Sequence, residues 1–364
     1  MANSGISQAV RKLKIALIRL PLNLRSNRWY VIIGQDLYIR SPRQSAVYAE
    51  KVEAQSLKGG SADFRVYRRL GTTGSARHIP NLDTFAILLP NLGRFGNAVR
   101  EVVSALSIAK TLGIGHVFLA GDNVFSAQSE VPSPGIHSTL VGPQLWVDST
   151  PARSQRFSGL VSWSRKDYLL EHEARNEEWD ALRGVLSLST RVARPDTITV
   201  HLRGGDVFGA RDVRNYGQPP VAFYQKVFDH AQPKTVHIVF QDRLNPVLDE
   251  LVKVCKKRSI TCTTQSHSLQ EDIESLASAH TLVAGRGTFA PAIVGLSPHI
   301  KKVYFFEDKF TVQPRRDGFE LYRVFDAKGD YRKKNLSGNW ENRPDQLALM
   351  TSYPASNLEL ESMS

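Results

Sequence analysis

Cysteine is nearly absent from this 364-residue chain: only Cys255 and Cys262 occur, so at most one disulfide can form. Both sit in apolar or strand-like contexts, which fits two buried free thiols in a reducing compartment. Long apolar runs are missing too, and none approaches the ~20 residues that a membrane-spanning helix needs. There is no Asp-x-Asp pair, which removes a familiar carboxylate clamp for a divalent metal. There is no glycine-rich Walker loop ending in Lys-Ser or Lys-Thr, and no Gly-x-Ser-x-Gly elbow. Internal repeats and coiled-coil heptads are also lacking. Glu171-His172-Glu173 is the densest group of candidate metal ligands, but adjacent residues on a helix point to different faces, so it reads as solvated surface and no metal is expected.

What is present is a globular composition, 41% hydrophobic and 23% charged, in a chain long enough for two cores. The net charge is +12, and it is concentrated: residues 1–70 hold thirteen Lys and Arg against four Asp and Glu, leaving nine of the excess there. The rest is nearly balanced, so no basic groove of the kind that binds nucleic acid runs across the protein. Residues 8–20 read as a basic amphipathic helix, with Val10, Leu13, Leu17 and Leu20 on one face and Arg11, Lys12, Lys14 and Arg19 around it. Such a helix either lies on an anionic membrane surface or packs on its own domain. Ile15-Ala16-Leu17-Ile18 is broken by Arg19 and Pro21 and makes a poor signal-peptide core, so a cytoplasmic location is expected.

The pattern along the chain predicts four regions. Residues 1–80 form a basic extension with a hairpin over 29–40, turning at Gly34-Gln35-Asp36, and a polar loop over 55–80. Residues 81–193 form a first α/β domain. Its clearest part is a strand at 84–89, a loop over Pro90–Asn97, a helix with Val99, Val102, Val103, Leu106 and Ala109 on one face, and a strand at 116–119. Residues 194–310 form a second α/β domain with strands at 197–202, 236–240, 260–264, 281–284 and 302–306. Its helices start near Pro219-Pro220 and run over 246–257, from a capping box at Ser268–Glu271 to about Ala279, and over 289–296. The last of these strands is expected to close the sheet. Residues 311–364 read as a polar tail that runs back over the first domain and ends in a mobile dozen. Strands alternating with helices imply parallel, doubly wound sheets, which bind ligands at the carboxyl ends of their strands.

Three glycine-bearing loops follow strands at such ends: Asn91–Asn97, His201–Asp206 and Gly285–Phe289. Each carries an arginine, whose planar five-donor fork suits phosphate. The first and third open helices, where backbone N–H groups also favour phosphate. The glycines are expected to let a ligand approach the backbone closely. His201 reads either as a core histidine bonded to its loop or as a ligand contact, and Asp206 either as a turn holder or as a partner that orients Arg203.

These motifs resemble the GDP-fucose-dependent α-1,2-, α-1,6- and protein O-fucosyltransferases. Gly93-Arg94-Phe95-Gly96-Asn97 is similar to the first-domain loop of that superfamily, and His201-Leu202-Arg203 with Asp206 to its His-x-Arg strand end and downstream acid. Thr288-Phe289 is similar to its late Ser/Thr-Phe motif, and Phe240-Gln241-Asp242 to a strand-end Phe-Ser-Asp element. Two positions depart: Gly204 stands where a second arginine is common, and Ala98 where an amide is.

The resemblance implies a GT-B-like α/β fold of two facing Rossmann-like domains. It implies an inverting, metal-independent transfer of fucose from GDP-fucose, with no cofactor, to a glycan or polysaccharide acceptor. Arg203 would stabilise the departing diphosphate. Gly93, Arg94, Phe95, Gly96, Asn97, His201, Asp242, Thr288 and Phe289 would bind the donor. Asp206 or Glu101, one helical turn past Asn97, would take the acceptor proton. A different nucleotide sugar, or a non-catalytic nucleotide- or glycan-binding protein on the same fold, remains the alternative reading of the same residues.

Overall fold

The computed structural model describes residues 30–33, 36–39, 85–89, 94–112, 116–119, 125, 144–146, 159–162, 176–186, 188, 195–209, 214–307, 318–336 and 338–363. The expected amphipathic helix at 8–20, the loop at 55–80, the Glu171–Glu173 cluster and Gly93 lie outside these residues. The chain divides into two compact units, residues 1–186 and 187–364.

In the first unit, β1 (Tyr30–Ile33) and β2 (Asp36–Ile39) pair antiparallel as a hairpin. A separate parallel sheet contains β3 (Phe85–Leu89), β4 (His116–Leu119), β5 (Gln144–Trp146) and β6 (Gly159–Ser162), in the order β5-β4-β3-β6. Helix α1 (Phe95–Leu112) connects β3 to β4, and α2 (Asn176–Val185) packs against α1. Ala98, Val99, Val102, Val103, Ala105 and Leu106 are all buried, which follows from the 3.6-residue spacing of their apolar side chains.

The second unit is a seven-stranded sheet. It contains β7 (Thr197–Leu202), β8 (Thr235–Phe240), β9 (Thr261–Gln265), β10 (Thr281–Val283), β11 (Lys302–Phe306), β12 (Glu320–Asp326) and β13 (Leu358–Ser362), in the order β13-β12-β11-β10-β7-β8-β9. All neighbours are parallel except β12 and β13. Helices α3 (Val221–Ala231), α4 (Val247–Lys257), α5 (Leu269–Ala277) and α6 (Phe289–Leu296) connect the strands. The capping box at the start of α5 is formed: Ser268 accepts from the Glu271 N–H, and Glu271 accepts from the Ser268 N–H. The inner parallel strands β7, β8, β10 and β11 are covered on both faces, so their sequences are apolar runs, and Ile198, Val200, Val236, Ile238, Leu282, Val283 and Val303 are all buried. Each such side chain contributes roughly 1.5–3 kcal/mol by leaving water.

Two expectations are corrected here. The strand at 302–306 does not close the sheet, and residues 318–363 are regular structure and not a polar tail. They add β12 and β13 to the edge of the second sheet, together with α7 (Asp330–Asn335) and α8 (Pro344–Ser352), and α8 packs on α3 and α4. Trp340, Tyr331, Met350 and Leu358 from this segment are buried in the core that holds Val200, Phe223 and Phe306. Residues 358–362, expected to be mobile, form the edge strand, with Leu358, Leu360 and Ser362 opposite Asp326, Val324 and Tyr322.

Candidate functional site

Strand order places the site. Numbered from β7, the second sheet runs 3-2-1-4-5-6-7, so the order of strand addition reverses between the parallel neighbours β7 and β10. In open parallel sheets ligands usually bind beyond the carboxyl ends of the strands at such a reversal. The loop after β7 is Arg203–Phe208, and the loop after β10 is Ala284–Thr288. These are two of the three glycine-bearing loops picked out by sequence, and the fold brings them side by side.

Their glycines are filled by protein. At Gly204 a Cβ would lie 2.5 Å from the Asp242 carboxylate, and at Gly285 it would lie 2.8 Å from the His201 carbonyl oxygen and 2.9 Å from His201 Nδ1. At Gly287, with φ +116°, it would overlap Arg203 Nη1. The expected role of these glycines, open access for a ligand, is therefore corrected. They let Asp242, His201 and Arg203 pack against backbone, and the two loops interlock.

Arg203 is the centre of this arrangement. Its Nη2 is 3.6 Å from Asp206 Oδ1, its carbonyl accepts from Asn245 Nδ2 at 3.0 Å, and its guanidinium carbon lies 4.5 Å from the ring centroid of Tyr216. His201, one residue inside the strand, is buried, and its ring stacks on Phe289 at the start of α6 with centroids 4.9 Å apart. Burial, and then the Arg203 charge, pulls its pKa down to about 4, so it is neutral at pH 7. Its Nδ1 has no hydrogen-bond partner within the protein. Thr288 precedes α6 without capping it by its side chain, so the first N–H groups of that helix are not tied to the hydroxyl.

Asp242, expected as a donor contact, is bonded to two backbone amides. One carboxylate oxygen accepts from the Gly205 N–H at 2.5 Å and the other from the Leu244 N–H at 2.9 Å, so it anchors the β7 loop to the β8 loop. In the first unit, Phe95, Gly96 and Asn97 are not loop residues but the first turn of α1, with the Asn97 and Ala98 N–H groups bonded to the Arg94 carbonyl. Phe95 is buried, with its ring 6.5 Å from that of Phe125. Arg94 is exposed and Asn97 partly so. Glu101 is 2% exposed, on the buried side of α1.

Sequence reasoning missed the residues that hold the loop from behind. Trp340 Nε1 donates to the Val207 carbonyl at 2.8 Å, and Asn342 Nδ2 donates to the Phe208 carbonyl at 2.8 Å. From the loop after β10, Arg286 Nη1 donates to the Gly217 carbonyl at 2.8 Å. The acceptors are backbone carbonyls far away in sequence, which carry no residue-type signal. Among the described residues, no group of three or more His, Cys, Asp or Glu is arranged to hold a metal ion, and no helix is long and apolar enough to cross a membrane.

No protein-family profile and no curated protein matches the sequence. Solved structures that align with the chain include POFUT1 in complex with GDP, at 12% identity and a TM-score of 0.36, covering 62% of this chain and 98% of that one. The glycosyl transferase family 9 protein from Veillonella parvula aligns at 11% identity and a TM-score of 0.38, covering 74% and 94%. E. coli heptosyltransferase WaaC with ADP aligns at 8% identity and a TM-score of 0.34, covering 65% and 89%.

Proposed function

We propose that this chain is an inverting glycosyltransferase of GT-B type that uses a nucleotide-diphosphate sugar, with GDP-fucose as the donor and a glycan or polysaccharide as the acceptor. One observation carries the reading: a fixed arginine, Arg203, lies at the switch point of a Rossmann-ordered sheet, beside a loop that opens a helix. A cation fixed by the protein before reaction stabilises charge that develops on a leaving group without reorganising. In this reading Arg203 faces the β-phosphate. The start of α6, with Thr288, supplies N–H donors to the diphosphate, and Phe289 lines the nucleotide. Neutral His201 adds a hydrogen-bonding edge without a second charge.

The acceptor hydroxyl oxygen bonds to the anomeric carbon as the bond from that carbon to the diphosphate oxygen breaks. Its proton passes to Asp206, and the electron pair leaves on GDP next to Arg203. Arg94 and Asn97, at the start of α1, are assigned to the reacting sugar. Glu101 is assigned a packing role because of its enclosure. Neither metal nor cofactor is assigned to the reaction. Residues 8–20 are assigned to an anionic membrane surface, which sedimentation with phosphatidylserine vesicles tests.

The choice of donor rests on the motif resemblance. A thermal-shift panel of GDP, UDP, GDP-fucose and GDP-mannose checks it, since a ligand that binds only the folded state raises the melting temperature. Stabilisation by GDP and GDP-fucose over UDP is expected, and a UDP preference would overturn the assignment. A second reading, a binder without turnover, draws on the enclosure of Glu101 and the engagement of Asp206 by Arg203. It predicts binding of GDP with no consumption of GDP-fucose, hydrolysis included.

A further inference from the structure

Tyr216 is unusual in this molecule. It is a large aromatic residue, 41% exposed, among few exposed large hydrophobic side chains in the described residues. Its ring covers one face of the Arg203 guanidinium, with the centroid 4.5 Å from Cζ. Nothing in its local sequence suggests a site, since it lies in the strap that leads into α3, beyond the end of the β7 loop.

The strap is fastened on several sides. The Gly217 carbonyl accepts from Arg286, which belongs to the loop after β10. The Gln218 carbonyl accepts from the Tyr331 hydroxyl at 2.6 Å, and Gln218 Nε2 turns back to the Tyr216 carbonyl at 2.7 Å. The Arg214 carbonyl accepts from the Trp340 N–H at 3.2 Å. Tyr216 is thus held on a rigid segment although its ring is at the surface.

Stacking on an aromatic face engages the π surface of a guanidinium and not its N–H groups, the groups by which arginine bonds oxyanions bidentately. A free arginine side chain loses much rotamer freedom when it binds, whereas one already held in plane loses less. Asp206 contacts Nη2 and Gly287 closes on Nη1, so the stack with Tyr216 completes a three-sided holder for one guanidinium.

We propose that Tyr216 is a positioning residue for Arg203, setting the guanidinium plane so that its edge meets the diphosphate. The proposal rests on the reading of Arg203 as a diphosphate ligand. It assigns no contact between Tyr216 and the reacting atoms. The ring face matters and the hydroxyl does not, so Phe is an adequate substitute and Leu is not.

The test is calorimetric titration of GDP, and separately of inorganic pyrophosphate, into the full chain and its variants. Each variant's melting temperature is compared with that of the unaltered chain to show that it folds. Tyr216→Leu is expected to weaken binding of both ligands about fivefold to tenfold, the size of a partly desolvated cation–π contact. Tyr216→Phe is expected to bind as the unaltered chain does. In an Arg203→Ala background, Tyr216→Leu should cause no further loss.

Equal loss in Tyr216→Phe and Tyr216→Leu overturns the positioning role, as does a full further loss in the Arg203→Ala background. In either case the Arg203 reading stands as long as Arg203→Ala itself weakens binding. If Arg203→Ala binds both ligands as tightly as the unaltered chain, the diphosphate reading fails and the Tyr216 role falls with it.

Discussion

The imidazole of His201 stacks on the ring of Phe289, with centroids 4.9 Å apart and planes inclined by 22°. The contact joins the penultimate residue of β7 to the first residue of α6, at the point where the strand order of the second sheet reverses. It also encloses a titratable group beside a fixed cation, and that has a consequence in acid.

Stability is expected to fall between pH 6.5 and about 4 because of His201. Its folded pKa, about 4, lies below the ordinary 6.5. Above pH 6.5 the ring is neutral in both the folded and unfolded chain, and there is no effect. As the pH falls from 6.5 the unfolded chain gains a proton that the folded chain refuses, so unfolding becomes easier. The full loss, reached near the folded pKa, is about 3 kcal/mol. Urea melts from pH 7.5 to 4.5 check this: the His201→Gln variant should show a shallower decline. Parallel declines in the two proteins would remove His201 as the cause.

Gly287→Ala is expected to damage the site more than its size suggests. The backbone there has φ +116°, and an added Cβ overlaps Arg203 Nη1. Strain of this kind costs about 1–3 kcal/mol, and displacement of the guanidinium should weaken GDP binding by about tenfold. Gly204→Arg, which restores the doubly basic form of the motif, should destabilise as well, since the anchored Asp242 carboxylate occupies the space. Melting temperature and GDP titration measure both effects. A tighter-binding, equally stable Gly204→Arg protein would contradict this picture of the loop.

Trp340→Phe is expected to loosen the β7 loop from behind. The ring volume is largely kept, but the Val207 carbonyl loses its indole donor. An unsatisfied buried acceptor costs about 1–3 kcal/mol. Hydrogen exchange of the amides at 203–209 should accelerate while that of β8 stays protected. Unchanged exchange in the loop would show that the tryptophan only fills space.

Much of the second sheet was legible in the sequence, and the reason lies in burial. Strands β7, β8, β10 and β11 are enclosed on both faces, so each reads as an apolar run such as Val303-Tyr304-Phe305-Phe306 between turn residues. Strands β12 and β13 sit at the edge. In Glu320–Asp326 only Val324 and Asp326 are buried, and in Leu358–Ser362 only Leu358 is. Such strands carry no core signal, which is why residues 311–364 read as a tail.

The candidate site divides in the same way. Arg203, His201 and Phe289 were legible because a strand end, a glycine and a functional side chain occur together within a few residues. Tyr216, Trp340 and Asn342 were not, because they act through a cation or a backbone carbonyl supplied by another segment. The glycines were found but their purpose was misread, since a missing side chain does not reveal whether a ligand or the protein fills the space. The anchoring bonds of Asp242 were not legible for a related reason: nothing in Phe240-Gln241-Asp242 shows that both carboxylate oxygens bond backbone amides.

Titration of GDP into the full chain and into Arg203→Ala tests the diphosphate assignment directly. Charge-assisted bonds to an arginine contribute about 1.5–3 kcal/mol each, so the variant is expected to bind GDP at least ~10-fold more weakly while melting at a similar temperature. Equal GDP affinity in the two proteins, or no GDP binding by the unaltered chain, would contradict the assignment of Arg203 to a nucleotide diphosphate.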